Sequence, residues 1–396
     1  MRINKKEGNS LLISMFISET IICSMIVCII PISQISALLM AFIGAMSICL
    51  NRSIPKRSVY RVALSWFLII LLFMISTLVN GYKTLINYLI YFIVFGSMGA
   101  LLSINEVNIK SVSKYLTIIY ALYIVIYFFS LRQKLLNSGE QYYMESMGIA
   151  YALTTIIYLS LVYYFYRDVL YLDKVIKILL YIDSLIALAI MLIDCRARGP
   201  ILGVIVAFFV LLLTKVKGIK KIVIITIMGI ITVVFIHNFL PIMEWLNNFL
   251  NRYNISFPAL SKIIYLSTSQ DGLSNSRNLF YGLAFEMIKR NIFFGHGIGY
   301  FETLGMGYVH NLLLDILLSV GVIGFIIIGG MFLFYFHRTL VYYSKVTQAY
   351  MYFLIFVGVT MLMFSSSLWF YPPFWAFFFG MINIKHINSG FRVSGK

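Results

Sequence analysis

The chain alternates long apolar runs with short polar connections, and the runs have the length of membrane spans. Taking stretches of about 16 to 25 residues as spans, the pattern predicts twelve: Leu11 to Ile30, Ile35 to Leu50, Val59 to Val79, Leu85 to Ile104, Leu116 to Leu131, Met147 to Tyr166, Ile178 to Ile193, Ile201 to Thr214, Ile222 to Leu240, Leu312 to Phe336, Val346 to Trp369 and Pro372 to Ile384. The expected fold class is therefore all-α, a single integral membrane domain over residues 1–396. The first run spans a bilayer and lacks a small-residue cleavage site, so it reads as a helix rather than a removed leader. One connection, Pro241 to Asn311, is long enough to build structure of its own. Within it Ser276 reads as an N-cap, and Leu279, Phe280, Leu283, Ala284, Met287 and Ile288 recur at helical spacing. That predicts an amphipathic helix, lying in the headgroup layer or packed on the spans.

Charge orients this frame. The net charge of +17 would point to nucleic acid in a soluble chain, but 61% of the residues are hydrophobic, and the basic residues sit in small clusters between spans. Alternate connections carry 21 of the 31 Lys and Arg residues when the N-terminus is placed inside. Both termini are thus predicted cytoplasmic and residues 241–311 extracytoplasmic, in a multi-pass protein of the cytoplasmic membrane with no nucleic-acid partner. The four cysteines share no metal-ligand spacing, so neither a disulfide framework nor a metal site is expected.

The candidate chemistry lies where charge runs against that topology. The predicted external connection Asp194-Cys195-Arg196-Ala197-Arg198-Gly199-Pro200 holds two arginines. Arg196 is explained as well by an ion pair with Asp194 or by snorkelling. Arg198 stands where a helix begins, with Pro200 in its first turn, so exposed N–H groups and the positive helix end would reinforce it in holding an anion. A second group, Tyr308-Val309-His310-Asn311, opens the tenth span. His310 is placed where a neutral imidazole takes a proton from a hydroxyl, although a lone histidine at a helix entrance is commonly only a cap. Asn311 and Asp315 share a face, whereas His310 and Asp315, about 140° apart, do not. Arg277 falls in the first turn of the amphipathic helix, where the dipole disfavours a cation unless a partner lies outside the helix. Glu145, with Glu140, precedes the sixth span and is able to bind sugar hydroxyls, the plainer reading being a solvated carboxylate. Gly295-His296-Gly297-Ile298-Gly299 reads as a turn, because no strand precedes it. Glu19 and Asp183 are ionisable groups inside apolar runs.

In order and topology together, Arg198-Gly199, Ser276-Arg277, the glycine turn 295–299, and His310-Asn311 followed by Gly321 and Gly324 resemble the O-antigen ligase and polysaccharide polymerase superfamily, most of all a bacterial repeat-unit polymerase for capsule or O-antigen. The chain departs from that pattern at Ala197, where a serine is common, and at Asn291 to Phe294, which lacks the usual proline. The resemblance implies a glycosyltransferase without cofactor or metal, acting on undecaprenyl-pyrophosphate-linked oligosaccharides at the outer face. It implies that Arg198 and Arg277 grip the pyrophosphate and that His310 activates the acceptor hydroxyl; Arg196, Asn311, Glu145 and Asp315 are further candidate substrate contacts read from the residues themselves. Guanidinium groups suit that task, since they bind phosphate oxygens bidentately and stabilise a leaving group's charge. Membrane lipid and a chain-length regulator are the other partners expected. Two alternatives stay open: a ligase of the same superfamily, and a lipid-oligosaccharide flippase, which needs no long external segment.

Overall fold

The computed structural model describes residues 5–29, 34–51, 56–80, 85–137, 142–195, 197–253, 260–261, 264–265, 275–305, 307–383 and 387–388. These are helical almost throughout, as the uninterrupted apolar runs require: in hydrocarbon each backbone N–H and C=O must be satisfied within its own segment. Five helices among them are long and apolar enough to cross a bilayer: Ile109–Leu135, Ser146–Phe165, Lys174–Ile193, Leu312–Tyr342 and Lys345–Met363. Shorter apolar helices include Ile35–Leu50, Tyr88–Ser103, Gly199–Lys215 and Pro372–Ile382.

The outward surface is that of a membrane protein. On Lys174–Ile193, Ile178, Ile182 and Leu185 are exposed along one stripe while Leu180, Asp183, Ala187 and Ile190 turn inward. A soluble helix would reverse that preference. The packed centre is aromatic: Trp369, Trp375, Phe377 and Phe378 are each 1% exposed or less, and Pro372–Ile382 packs between Lys345–Val359 and Ser97–Ser103.

Two ion pairs are spaced by about a membrane thickness along the bundle. The neighbouring helices Ile109–Leu135 and Lys174–Ile193 are joined at their starts by Lys110 Nζ to Asp173 Oδ1 at 2.8 Å and at their ends by Arg132 Nε to Asp194 Oδ2 at 2.9 Å. The pairs lie 22 residues apart on one chain segment and 21 on the other. At about 1.5 Å per residue this is roughly 32 Å, close to the hydrocarbon thickness of about 30 Å. Around the Lys110 pair, Lys6 meets Glu106 at 2.8 Å, Asn9 and Asn51 exchange side-chain hydrogen bonds, and Val107–Asn108 pairs in parallel with Ile387–Asn388. That basic end of the bundle is closed.

The opposite half contains the departures from the predicted spans. The run Leu11 to Ile30 is two helices, Lys5–Ile17 and Glu19–Cys28, bent by 76° at Ser18. The run Val346 to Trp369 stays α-helical only to Val359, then passes through 3-10 turns at Met361–Met363 and Leu368–Phe370 before Pro372–Ile382 begins. In Leu312–Tyr342 the helix breaks at Gly321, with φ 64° and ψ −170°.

The Gly321 break is filled by the glycine turn. His296 N–H donates to the Leu318 carbonyl at 2.7 Å and Gly297 N–H to that of Ser319 at 3.0 Å, while Val322 and Ile323 donate to the carbonyls of Ile292 and Phe293 at 2.8 and 3.3 Å. Each chain thus satisfies the groups the other leaves open. The fit is backbone on backbone: a Cβ on Gly295 would stand 2.6 Å from the Gly321 nitrogen, and one on Gly321 would overlap the Phe293 carbonyl. The amphipathic helix is present as Asn275–Arg290, starting one residue before Ser276. Its stripe packs Ala284, Phe280, Met287 and Ile288 against Phe301, Val309, Leu314 and Leu318, so of the two placements the packed one is adopted. A further helix, Phe239–Arg252, follows the helix of the ninth predicted run, with Trp245, Phe249 and Tyr253 in ring contact on its exposed side.

Candidate functional site

His310 has a φ of 58°, a left-handed conformation that few non-glycine residues adopt. It is held from both sides. Asn311 caps Leu312–Tyr342, its side-chain oxygen accepting from the Leu313 and Leu314 N–H groups at 3.0 and 3.2 Å. The imidazole lies 4.4 Å from the Tyr308 ring and stacks on Phe280 at 6.1 Å, and the Tyr281 hydroxyl reaches the His310 carbonyl at 3.4 Å. The amphipathic helix therefore serves as the wall behind the histidine.

The other wall is the irregular segment after Val359. Tyr308 Oη lies 3.1 Å from Ser365 Oγ. Ser366 has φ 65°, and among the described residues it and His310 are the two non-glycine positions with positive φ. Such conformations cost about 1 to 3 kcal/mol each and persist where the surroundings impose them, characteristically at functional sites. Ser367 Oγ donates to Asp315 Oδ2 at 2.8 Å and Ser319 Oγ to Asp315 Oδ1 at 3.4 Å, so Asp315 pins the serine segment to the helix that His310 opens.

Arg198 arrives from a third direction. It occupies the cap position of Gly199–Lys215, with Pro200 in the first turn, and is half-buried. The absence of a side chain on Gly199 lets this helix start press on two neighbours: a Cβ there would overlap the Tyr151 hydroxyl and stand 2.9 Å from Phe364 Cβ. The helix start of Arg198 is thus seated on Phe364, and His310 reaches Ser365, the next residue, through Tyr308. Arg277 belongs to the Asn275–Arg290 helix one turn before Tyr281; its side chain lies outside the described residues, as do Arg196 and the side chain of Glu145. The pairing of Asp194 with Arg196 thus falls outside the described residues, and Asp194 has Arg132 as a partner. Its carboxylate, 7% exposed, accepts from Arg132 Nε at 2.9 Å and Nη2 at 3.0 Å, and from Tyr127 Oη at 3.0 Å.

Sequence reading passed over Glu302, Tyr88 and the serine triplet. Glu302, in the short helix Tyr300–Thr303, is hydrogen-bonded by Tyr88 and lies near Asp315. Burial pushes its carboxyl up to about 7, against the lowering effect of the Tyr88 hydroxyl and with help from the Asp315 charge. For the triplet a signal existed: Ser365-Ser366-Ser367, with Pro372-Pro373 close behind, interrupts an apolar run and marks a break.

These features define a multi-pass, all-α membrane protein with a polar, strained cluster at the end of its bundle away from the Lys110–Asp173 pair. Residues 184–329 match the model of the family described as O-antigen ligase, and the match supports the O-antigen ligase and polymerase superfamily read from the motifs. The matched stretch contains Arg196, Arg198, Arg277, His310, Asn311 and Asp315, and it leaves out Glu145. No curated protein matches the chain. On this basis residues 184–329 are similar to the O-antigen ligase family, and the likeness supports a membrane enzyme of the ligase and polymerase type.

Proposed function

We propose that the protein polymerises undecaprenyl-pyrophosphate-linked oligosaccharide repeat units on the outer face of the cytoplasmic membrane. In this reading the chain has twelve spans with both termini inside, and residues 241–311 form the extracytoplasmic segment above the site. The observation that carries it is convergence: the helix starts bearing Arg198 and His310 meet at adjacent residues, Phe364 and Ser365, and the helix bearing Arg277 packs its Phe280 on the His310 ring.

The chemistry follows from those positions. The acceptor hydroxyl oxygen attacks the anomeric carbon of the donor sugar and gives its proton to the imidazole of His310. The bond from that carbon to the pyrophosphate oxygen breaks, and undecaprenyl pyrophosphate leaves with the electron pair. Arg198 and Arg277 bind the departing oxygens, and the N–H groups opening Gly199–Lys215 add their partial positive charge. A base placed opposite the leaving group inverts the anomeric configuration. A ligase would run the same step onto a lipid A core acceptor, and the description of the matched family keeps that reading in view.

Complementation of a polymer-deficient host tests both. Arg198→Ala, Arg277→Ala and His310→Ala should each abolish the long-chain ladder at unchanged protein level, while a single repeat remains attached. Absence of any attached repeat would indicate the ligase, and a normal ladder from His310→Ala would remove the base assignment.

A further inference from the structure

The break at Ser18 and the break after Val359 meet, and the space between them is a cavity of about 130 Å³. It is lined by Glu19 and Thr20 from the first break, Ser366 and Tyr371 from the second, and Tyr120 and Thr155 from the helices between. Irregular backbone at membrane depth is tolerated where it faces protein or a polar cavity, and here two irregular segments do so together. Glu19 is 8% exposed and is held by neutral donors: Ser36 Oγ, Thr20 Oγ1 at 3.3 Å and Cys23 Sγ at 3.4 Å. A carboxylate offers about four acceptor positions, so capacity is left for a ligand hydroxyl.

We propose that this cavity is a saccharide subsite that seats one sugar ring of the lipid-linked substrate, next to the glycosidic bond being made. The assignment rests on the glycosyl-transfer reading above and adds to it where a sugar sits and what kind of sugar fits. Size favours a ring. A cavity of about 150 Å³ accepts benzene, so this space is on the scale of one six-membered ring and, at roughly 30 Å³ per water, about four waters, far more than a cation's cage. The lining favours it too, combining one carboxylate, several hydroxyls, and the aromatic faces of Phe370, Tyr120 and Tyr371. A second anion beside buried Glu19 would be opposed by like charge and by desolvation, so the ring is a neutral or amino sugar rather than a uronic acid. Position connects it to the chemistry: Ser366 lines the cavity, while its neighbour Ser365 is bonded to Tyr308 beside His310.

The test is saturation-transfer NMR on the full-length protein in lipid nanodiscs. The probe is the repeat-unit oligosaccharide released by mild acid from the host's own lipid carrier. Wild-type protein should transfer saturation to the sugar; Glu19→Leu and Thr155→Val should each weaken binding at least fivefold, and His310→Ala should leave it within twofold. Thr155→Val is nearly isosteric and separates loss of binding from loss of folding. Absence of binding to wild type, or wild-type binding by both cavity variants, overturns the proposal. So does binding lost in His310→Ala and kept in Glu19→Leu. A normal polymer ladder from His310→Ala alongside lost sugar binding in Glu19→Leu would defeat the catalytic reading and leave the sugar site standing.

Discussion

Replacing Gly321 by alanine tests how the external segment is tied to the membrane. Its backbone, at φ 64° and ψ −170°, lies in a region essentially reserved for glycine, so alanine there costs about 1 to 3 kcal/mol. The new methyl would also overlap the Phe293 carbonyl and push the 291–299 turn off the helix. That breaks the four backbone hydrogen bonds from His296, Gly297, Val322 and Ile323, worth about 1 kcal/mol each net. Some of this is regained, because an alanine lets the helix close straight, with Val322 N–H returning to the Leu318 carbonyl. Ile323 N–H likewise returns to the Ser319 carbonyl, so two of the four bonds are regained, leaving about 2 kcal/mol of hydrogen bonding plus at least about 1 kcal/mol of strain; docking should weaken by about 3 kcal/mol, roughly a hundredfold larger open population. Hydrogen exchange in detergent or nanodiscs reads this directly: the amides of Gly297 and Val322 should exchange about a hundredfold faster in Gly321→Ala, while core amides such as Phe353 stay protected. In complementation the ladder should be lost, since the turn and Leu318 support the wall behind His310. Wild-type exchange at both amides in Gly321→Ala would refute the argument.

Three further outcomes follow from other parts of the molecule. Asp194→Ala strands the Arg132 guanidinium and the Tyr127 hydroxyl, and should lower unfolding stability by about 2 kcal/mol, less than for a fully buried pair because Arg132 is 43% exposed; a midpoint equal to wild type would dismiss the pair as a strut. Burial raises Glu302 to about 7 from an ordinary 4.5, so the folded protein keeps a proton that the unfolded chain releases. Stability from this group is full below about pH 4.5, declines as pH rises to about 7 and is flat beyond. Glu302→Gln should flatten that part of a thermal-stability profile, and an unchanged slope would assign the dependence elsewhere. With the four native cysteines replaced, a membrane-impermeant maleimide should label Asn251→Cys and spare Lys217→Cys in intact cells; the reverse pattern would invert the proposed topology.

What the sequence disclosed were the features written in local chemistry. Apolar runs must become helices in hydrocarbon, and Pro200 marks the start of Gly199–Lys215 whatever surrounds it. The stripe from Leu279 to Ile288 likewise announces Asn275–Arg290, to within two residues at its start. What it withheld depends on partners far along the chain. Ser18 sits in a run with no glycine or proline, and the bend there becomes visible only beside Tyr120, Thr155 and Ser366. Asp194 is held by Arg132, 62 residues away, a partner that local spacing does not suggest. The left-handed backbone of His310 follows from the rings of Phe280 and Tyr308 and from the Asn311 cap. Of these only the cap is legible from spacing.

The two ends of the bundle are built on different terms, and the difference bears on function. At the end marked by Lys110 and Asp173, buried amides are tied down: Asn9 with Asn51, and Asn105 Nδ2 with Ser47 Oγ at 2.9 Å. Groups satisfied in this way have little to offer a ligand and much to offer rigidity. Toward the other end the helices break at Ser18, Gly321 and the serine triplet, and the left-handed residues His310 and Ser366 cluster there. Each break forgoes intrahelical hydrogen bonds in a low-dielectric setting, a penalty that a purely structural bundle would avoid. The proposed glycosyl transfer from a lipid carrier would call for this asymmetry. In that reaction the donor's pyrophosphate would be confined to the headgroup level by its own polyprenyl chain, so polar groups would have to be brought to that level and held still. On the proposed reading a closed basic end supplies the fixed frame, the broken helices bring histidine and hydroxyl groups, and the starts of Gly199–Lys215 and Asn275–Arg290 bring arginine, to the level where the substrate would be held.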